Sequence, residues 1–472
     1  MARVFLFNPP APDGRGFTRE GRCTQEAGVW ATQWPPVTLT TAAALLEADG
    51  HHLRLVDFPA RGATIRDLEA MVRSEHPDIA LWSTATPTMA FDLYISDVIK
   101  KIRSDILTCI FGTHVTACPD EILRNSSVDI VIRGEPEQII RRLCASGLSD
   151  ISTIPGISYR SSRIGQFQHN PSESWLSPET IPAPAWHYLD IRPYRLPLSG
   201  RTFLIVAPIR GCPYRCNFCT APLYYGSKLR KRPIASVIEE IQNNIARHHI
   251  SEFFIWADTF TADRRYVQEF CQAILASGMK ISWTCNSRVD TIDEETLVLM
   301  KKAGLWMISF GLESGNDAIL EKTGKKITVA QSIAAVNMAS KAGIKVAGHF
   351  IFGLPGETEQ TLEDTLRLSL SLSLDIAQYY TAAPFPGTDL YRDALREGWL
   401  PDRSARDTSR LSQSPAALEL PGLPSSRVEA FRRHAYRQFY SRPRVLAGLI
   451  SLMDWGAVVN LSTPIKRFFS NK

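Results

Sequence analysis

The sequence predicts an α/β protein with two successive cores, a doubly wound parallel sheet and a partial (β/α)6 barrel, followed by a helical C-terminal tail. Short apolar runs alternate with helical patterns over the first 145 residues, and the alternation resumes near residue 203. Strands that alternate with helices of this length form parallel sheets covered on both faces. A chain of 472 residues is also too long for one ordinary core. We divide it into a domain at 1–145, a linker at 146–198, a barrel at 199–400 and an extension at 401–472.

The composition of the chain indicates a globular protein and its cellular compartment. Hydrophobic residues make up 44% of the chain and charged residues 21%, which is globular composition. The start, MARVFLFNPP, has too short an apolar run for a signal peptide, and no stretch of the sequence predicts a membrane span. Nine cysteines, an odd number with three of them clustered, argue against a disulfide framework and for the cytoplasm.

The first domain has five predicted strands, at 4–7, 53–56, 79–82, 107–111 and 128–132. Each strand runs into turn-forming residues, and ligands of parallel sheets bind beyond these carboxyl ends. There is no G-x-G-x-x-G and no G-x4-G-K-[ST], so a dinucleotide or nucleoside triphosphate is not the expected ligand. The linker is rich in Ser, Pro and Gly, and we expect a short hairpin within it around residues 156–168.

The second domain has six predicted strands, at 203–207, 252–256, 280–285, 305–310, 345–351 and 376–381. Six β/α units are too few for a closed eight-stranded barrel, so a partial barrel is expected, with its site at the carboxyl ends of the strands.

A cysteine cluster directly follows the first barrel strand, in RGCPYRCNFCT at 210–220. Cys212, Cys216 and Cys219 are spaced C-x3-C-x2-C, so their thiolates converge only if the chain wraps around a common centre. Four cysteines would complete the coordination of zinc or an iron–sulfur cluster, whereas three leave one metal position open. The alternatives are a structural zinc site and three unrelated core thiols. No nearby cysteine or histidine pair supplies a fourth ligand, which favours a cluster with an open iron.

Polar residues stand at the ends of the following strands. Arg288 offers a planar fork suited to a carboxylate, and Glu313 offers acceptors for ammonium or hydroxyl groups. Asp258 is either a site residue or the cap of a helix that starts near Asp263, and Arg288 either binds a ligand or pairs with Asp290 on the surface. Their position at consecutive strand ends favours a site.

The C-terminal extension is basic, with twelve Lys or Arg and four Asp or Glu between residues 403 and 472. Residues 401–427, rich in Ser, Pro and Arg, predict a flexible or loosely packed segment. A helix is expected around 428–439, and the apolar stretch 445–461 predicts either a helix that caps the barrel or peripheral membrane contact.

The cysteine motif, with Phe218 before its last cysteine, resembles that of radical S-adenosylmethionine (SAM) enzymes. The resemblance extends to WADTFTAD at 256–263, SFGLESG at 309–315, GHFIFGLPGET at 348–358 and PFPGTDLY at 384–391. It implies that the three cysteines hold a [4Fe-4S] cluster, whose open iron binds SAM and generates a 5′-deoxyadenosyl radical. The residues that it implies for SAM binding are Phe218, Ala257, Asp258, Ser287, Arg288, Glu313 and Gly353.

The first domain resembles the flavodoxin-like cobalamin-binding domain of class B radical SAM methylases. The matching pieces are STATPT at 83–88, FGTHVTACPDEIL at 111–123 and DIVIRGEPE at 129–137. The cobalamin-binding residues that the resemblance implies are Ser83, Thr84, Thr86, Gly112, Thr113, His114 and Gly134. No D-x-H-x-x-G follows the first strand, so the motif for a lower cobalt ligand is missing. His114 either faces the corrin pocket or is a loop histidine bonded to nearby backbone.

The C-terminal segment at 431–452 resembles that of the magnesium-protoporphyrin ester cyclase and hopanoid-enzyme branch. The combined resemblance implies cobalamin-dependent methylation of an unactivated carbon in a natural-product or lipid-like small molecule. The alternatives are a radical cyclisation, ring contraction or oxidation without methyl transfer, and a cluster-binding protein without catalysis. An electron donor such as flavodoxin or ferredoxin is expected as a partner, and nucleic acid is not.

Overall fold

Two separate β-sheets organise the chain. The computed structural model describes residues 1–10, 17–21, 33–147, 150–161, 166–173, 175–196, 199–401 and 407–453. One sheet lies in the N-terminal part and the other forms the central barrel. The α/β class predicted from the alternation of strands and helices is therefore confirmed.

The N-terminal sheet has seven strands, in the order β2-β1-β3-β4-β5-β6-β7. Their bounds are β1 Arg3–Asn8, β2 His52–Asp57, β3 Ile79–Ser83, β4 Leu107–Phe111, β5 Ile130–Ile132, β6 Ile157–Arg160 and β7 Phe167–His169. The first five are parallel, in the flavodoxin-like order, as the sequence predicted. The helices are α1 Val37–Ala48, α2 Phe58–Arg61, α3 Ile65–Glu75, α4 Met89–Ile102, α5 Thr113–Ala117, α6 Pro119–Asn125 and α7 Glu137–Ala145.

Helices cover both faces of this sheet. Val4 and Leu6 of β1 belong to one buried cluster, and Phe5 and Phe7 belong to another. Because successive side chains of a strand point to opposite faces, this division places an apolar core on each side of β1.

The predicted hairpin forms, but it is not part of a linker. Strand β6 pairs antiparallel with β5, and β7 pairs antiparallel with β6, so both extend the N-terminal sheet. Residues 157–160 and 167–169, which we placed in a linker, therefore belong to the N-terminal sheet. The spacing of apolar residues predicts where a strand lies, but it does not show that β6 pairs with β5.

The barrel sheet contains six parallel strands in chain order, with β8 and β15 at its edges. The strands are β8 Phe203–Val206, β11 Glu252–Ile255, β12 Ser282–Ser287, β13 Leu305–Glu313, β14 Lys345–Phe352 and β15 Ile376–Thr381. Strands β9 Ile209–Arg210 and β10 Arg230–Lys231 form a small antiparallel ribbon beside the cysteine motif. The partial barrel predicted from six β/α units is confirmed.

The remaining helices surround the barrel or extend from it. They are α8 Ala221–Tyr225, α9 Ile234–His248, α10 Arg264–Ser277, α11 Glu294–Lys302, α12 Asp317–Lys322, α13 Val329–Lys341, α14 Glu359–Ser371, α15 Asp389–Arg396, α16 Ser425–Tyr440 and α17 Pro443–Leu452. Short 3-10 turns occur at Thr86–Thr88, Pro178–Thr180, Trp186–Tyr188, Phe260–Ala262 and Thr408–Arg410. Among the residues described, no helix is long and apolar enough to span a bilayer.

The segment 407–424 is packed, contrary to the prediction of a loose segment. Leu411, Ala417 and Leu423 are buried in the barrel core. The Thr381 amide donates to the Gln413 carbonyl at 3.0 Å. A few buried apolar side chains thus anchor a stretch whose composition is otherwise polar. Residues 402–406 of the predicted loose segment lie outside the described residues.

Helix α16, predicted from its apolar spacing, covers the edge strand β15. The Tyr440 hydroxyl accepts from the Ala377 amide at 3.3 Å and donates to the Ala377 carbonyl at 2.9 Å. The Tyr436 hydroxyl accepts from the Tyr379 amide at 3.2 Å. These hydroxyls satisfy backbone groups that an open edge would expose. Helix α17 contains the first part of the apolar stretch predicted at 445–461. Residues 454–472 lie outside the described part of the chain, so membrane contact of the tail stays a prediction.

Candidate active site

A cavity of about 330 Å3 occupies the barrel, with its polar end at the carboxyl ends of the strands. Its lining includes most of the predicted cluster and SAM residues, namely Cys212, Cys216, Phe218, Cys219, Asp258, Ser287, Arg288 and Glu313. Residues predicted from separate sequence motifs therefore share one cavity. Ala257 is buried next to Asp258 but does not line it.

The cysteine loop is shaped by its backbone contacts. Gly211 has φ +89°, and a Cβ there would lie 2.1 Å from the Lys228 carbonyl oxygen, so only glycine fits. The Cys219 amide donates to the Cys216 carbonyl at 3.1 Å, which turns the loop back on itself. The Asn217 amide donates to the Thr323 carbonyl at 2.9 Å and fixes the loop on the turn after α12. All three cysteines of the loop line the same cavity, and no fourth cysteine among the described residues does so.

Burial raises the pKa of the Cys216 thiol to about 11, and the negative charge of Cys219 adds to this effect. Metals bind the thiolate form, so a metal would displace this proton. The donor set, three thiols with one open position, fits the [4Fe-4S] cluster implied by the sequence.

Arg288 lies in the cavity wall and is 5% exposed. Its Nε and Nη2 donate to Oδ1 and Oδ2 of Asp290 at 2.9 and 2.8 Å, and Nη2 also donates to the Lys325 carbonyl at 2.7 Å. The guanidinium carbon lies 3.7 Å from the centroid of the Tyr214 ring. The alternative pairing with Asp290 therefore exists, and it joins a buried Arg288 in the cavity lining to an exposed Asp290 that does not line the cavity. This edge of the fork is occupied by Asp290.

Asp258 lines the cavity, and Asp263 caps the neighbouring helix. The Asp263 carboxylate accepts from the Tyr266 amide at 3.0 Å at the start of α10. Asp258 is 7% exposed and does not hold that position. The capping alternative for Asp258 is therefore wrong.

Glu313 is held in an uncommon backbone conformation, with φ +60°. Its carboxylate pairs with the ammonium group of Lys325, and both side chains are buried. A Cβ on Gly311 would lie 2.5 Å from both Glu313 Oε1 and Lys325 Nζ, so this glycine leaves room for the ion pair. The sequence analysis missed Lys325, because it stands in the charged run EKTGKK, which resembles a solvated surface.

The cavity continues along the barrel axis to the amino ends of the strands. This lower end is lined by aromatic side chains, among them Trp34, Phe254 and Trp306. Between the two ends, His349 Nδ1 and the Tyr380 hydroxyl lie 3.1 Å apart, and the two rings are parallel within 3°. These lining residues were not predicted, because alternate residues inside strands give no separate signal of facing a cavity.

Gly353, predicted for SAM binding, does not line the cavity. It has φ +82°, and a Cβ there would lie 3.1 Å from the Val428 side chain. Its amide donates to Glu357 Oε2 at 2.6 Å. Burial raises the pKa of Glu357 to about 8, above its usual range. The glycine lets the chain pass between α16 and this buried carboxyl group.

The predicted cobalamin residues gather at the carboxyl ends of β3, β4 and β5. A Cβ on Gly112, whose φ is +146°, would lie 2.7 Å from the Thr84 carbonyl oxygen, so the first two loops touch. Ser83 Oγ donates to Asn8 Oδ1 at 2.6 Å, and the Gly134 amide donates to Thr116 Oγ1 at 2.9 Å. The other members of the group, all buried, are Thr86, Thr113 and His114.

Two polar atoms at this edge are buried without a hydrogen-bond partner among the described residues, Thr84 Oγ1 and His114 Nε2. Buried polar groups are normally satisfied, so these two atoms could form hydrogen bonds with a ligand bound at this edge. His114 Nδ1 lies 3.3 Å from Thr86 Oγ1, and burial lowers the pKa of the imidazole to about 4. The ring is therefore neutral near pH 7, and its contact is a side chain rather than the backbone considered above.

A buried ion-pair network joins the two domains. Both Glu135 and Glu137, at the end of the N-terminal sheet, pair with Arg210, and the distance to Glu137 is 2.8 Å. Arg230 Nη1 lies 2.9 Å from Glu135. Arg210 immediately precedes Gly211 and Cys212, so this network connects the N-terminal sheet to the cysteine loop.

Comparison with known proteins tests the predicted family. Residues 206–369 match the Radical SAM superfamily, and residues 27–143 match the B12 binding domain. An uncharacterized methyltransferase of Pyrococcus horikoshii is 32% identical over 423 residues, covering 89% of this chain and 90% of that protein. The chain belongs to the radical SAM superfamily. The predicted resemblance is confirmed, and the protein is a radical SAM enzyme with a B12 binding domain.

Other relatives of this radical SAM enzyme agree with that assignment. The anaerobic magnesium-protoporphyrin IX monomethyl ester cyclase of Rubrivivax gelatinosus is 26% identical, over 88% of this chain and 82% of the relative. The solved structure of the radical SAM methyltransferase TsrM from Kitasatospora setae, with cobalamin and a [4Fe-4S] cluster bound, superposes with a TM-score of 0.70. That superposition covers 96% of this chain and 91% of TsrM at 16% identity, and it shows a shared fold.

The cofactors of this radical SAM enzyme are a [4Fe-4S] cluster, SAM and cobalamin. The residues present fit these groups. Three thiols with an open position suit the cluster, and buried carboxylates beside them suit the ammonium and hydroxyl groups of SAM. The unsatisfied Thr84 hydroxyl at the sheet edge suits the amide groups of cobalamin.

Proposed function

We propose that this radical SAM enzyme transfers a methyl group to an unactivated carbon of a natural-product or lipid-like small molecule. The observation that carries the proposal is the form of the barrel cavity. Its polar end holds the three cysteines and two carboxylates, and its other end is aromatic. A volume of about 330 Å3 falls within the range of small-molecule sites.

When bound, the cluster and SAM supply a 5′-deoxyadenosyl radical, and cobalamin supplies a transferable methyl group. In the proposal, Asp258 and Glu313 accept hydrogen bonds from the ammonium and hydroxyl groups of SAM. Ser287 and Arg288 donate to it, while Phe218 and the backbone at Ala257 shape its pocket. Arg288 holds its planar orientation through Asp290, so it acts from a preorganised position.

The proposal assigns the aromatic end of the cavity to the substrate. Trp34 packs edge-on against Phe254 at 4.9 Å between ring centroids, and Trp306 Nε1 donates to Glu252 at 2.6 Å. Fixed aromatic walls exclude water and bury an apolar substrate. His349 and Tyr380 offer hydrogen bonds to a polar group of that substrate between the aromatic and polar ends.

An anaerobic assay that counts two products of SAM tests the reaction. Methyl transfer yields S-adenosylhomocysteine and 5′-deoxyadenosine together, and both should accumulate with the substrate present. The relative named as a cyclase favours one alternative, a radical cyclisation without methyl transfer. That alternative yields 5′-deoxyadenosine alone, and a cluster-binding protein without catalysis yields neither product.

Replacing Asp258 by Asn tests the SAM assignment. A charge-assisted hydrogen bond is worth about 1.5–3 kcal/mol, so SAM affinity should fall roughly 10- to 150-fold. Calorimetric titration of the anaerobic, cluster-loaded protein measures the Kd. Glu294→Gln is the matched control, because Glu294 pairs with Lys341 on the surface. An unchanged Kd in Asp258→Asn would remove Asp258 from the SAM site.

We also propose that an acidic electron-transfer protein of the flavodoxin or ferredoxin kind docks beside the cysteine loop. Arg215, Lys322 and Lys326 are exposed there, without ion-pair partners among the described residues. Asn217 Nδ2 donates to the Lys322 carbonyl at 3.1 Å, so the loop and these cations are adjacent. Unpaired cations attract an acidic partner and accelerate its encounter with the cluster. In the proposal the chain works in a reducing compartment, where disulfides are rare, and the eight described cysteines form no disulfide with one another.

Replacing Arg215, Lys322 and Lys326 by Glu tests this docking. Reduction of the cluster by flavodoxin should slow at least about tenfold at low ionic strength, and the difference should shrink at high salt. Rapid-mixing absorbance measures the rate, and reduction by dithionite should stay unchanged. The control replaces Lys301 and Lys302, in the last turn of α11, which leads into the amino end of β13, whereas the cysteine loop follows the carboxyl end of β8. Equal rates for the two variants would contradict the proposal.

A further inference from the structure

A second group of metal-ligating side chains lies at the corner between α5 and α6. His114, Cys118 and Glu121 each offer one ligand atom, and these three atoms lie within 4.8 Å of one another. The spacing H-x3-C-x2-E brings them to one side of the corner. None of the three lines the barrel cavity, so this group is separate from the cluster cysteines.

The chemistry of these donors suits a zinc-type ion. Imidazole nitrogen, thiolate sulfur and carboxylate oxygen are the ligands that Zn2+ takes in proteins, at about 2.0–2.3 Å. Ligands of a tetrahedral ion then lie about 3.5 Å apart, so the corner needs to close by about 1 Å. Three protein ligands leave a fourth position for water.

The surroundings supply a second observation. His114 is 2% exposed, and its Nε2 has no hydrogen-bond partner among the residues that the structure describes. Thr86 Oγ1, 3.3 Å from Nδ1, holds the ring in place, as outer partners do for metal-bound histidines. A buried imidazole with one unused nitrogen, next to a thiol and a carboxylate, is poised to bind an ion.

The corner also touches the barrel. A Cβ on Gly387 would lie 3.1 Å from the Ala117 side chain, so α5 packs on the loop between β15 and α15. Tyr391, half-buried on α15, lies close enough to Cys118 and Glu121 to sense their charges. An ion here would stiffen the contact between the N-terminal domain and the barrel.

We propose that His114, Cys118 and Glu121 bind one divalent zinc-type cation at the junction of the two domains. This site does not depend on the reaction proposed above. It also assigns His114 to this ion rather than to the cobalt of cobalamin.

Elemental analysis of the cluster- and cobalamin-loaded protein, after incubation with Zn2+ and desalting, tests the site. About one zinc per chain is expected besides the iron and cobalt. Cys118→Ser should lose the zinc and keep the iron. Glu121→Gln changes an exposed side chain, so it should fold normally and bind zinc at least about tenfold more weakly. Cys144→Ala, at a buried thiol elsewhere, should keep the zinc.

Two further measurements identify where the metal sits. Changing the three cluster cysteines to Ala should remove the iron and leave the zinc, since the sites are separate. Paramagnetic resonance of bound cob(II)alamin should show no nitrogen splitting from a protein imidazole. Absence of zinc from the wild-type protein, or its retention in Cys118→Ser, would overturn the proposal. Nitrogen splitting that disappears in His114→Gln would place His114 on cobalt and overturn it equally.

Discussion

Replacing Cys212, Cys216 and Cys219 together by Ala is expected to abolish iron binding and reduce SAM cleavage to background. Each thiol supplies one bond to the cluster, and the three line a single cavity without a fourth cysteine among the described residues. Loss of one ligand weakens the cluster, and loss of all three leaves no thiolate to hold it. The broad visible absorbance of the protein and its content of about four irons should both disappear.

The matched control replaces four other cysteines one at a time. Each is buried in an apolar core away from the cavity, namely Cys109, Cys144, Cys271 and Cys285. Their replacement should lower stability somewhat and leave the iron content unchanged, because none of the four lines the cavity that contains the clustered cysteines. A triple variant of the clustered cysteines that kept four irons per chain would contradict the assignment of the active site.

The fold was predictable where a local pattern decides the structure. Strand β4 has the predicted bounds 107–111, because a buried strand is a continuous apolar run with turn residues at its end. The pairing of β6 with β5 was not predictable, since the partner of a hairpin depends on contacts distant in sequence. The packing of 407–424 was missed because a few buried residues, such as Leu411 and Leu423, outweigh a polar composition.

The same distinction applies to the site. The cysteines were predictable because a C-x3-C-x2-C spacing within one short loop is visible in the sequence and is typical of metal-binding loops. Lys325 was not, because its role arises only when α12 brings it against Glu313. Gly353 has a role in packing that its motif did not indicate, since a Cβ at this position would lie 3.1 Å from the Val428 side chain of α16.

Arg210→Met is expected to destabilise the protein by about 3–5 kcal/mol, the usual cost of leaving a buried ion pair without one partner. Arg210 is 2% exposed and pairs with both Glu135 and Glu137. The variant leaves Glu137, which is fully buried, with its main counter-charge removed. The iron content should stay the same, because the cysteines are untouched. Urea denaturation measures the free energy of unfolding. The control is Arg192→Met, at an exposed pair with Asp190, which should lower that free energy by no more than about 1 kcal/mol.

The pH dependence of the stability lost in Arg210→Met shows whether the loss comes from the missing charge or from poorer packing. Burial raises the pKa of Glu137 in the native protein, and Arg210 opposes that shift, so removing Arg210 should raise this pKa further. A carboxyl group whose native pKa lies above its unfolded value favours the folded state at low pH, and that contribution is lost as pH rises through the native pKa. The deficit of Arg210→Met should therefore be smallest in acid and grow toward neutral pH. Adding Glu137→Gln should recover part of the stability at neutral pH, because the amide carries no charge. A deficit that is independent of pH and unrelieved by Glu137→Gln would show that Arg210 stabilises the domain junction by packing alone.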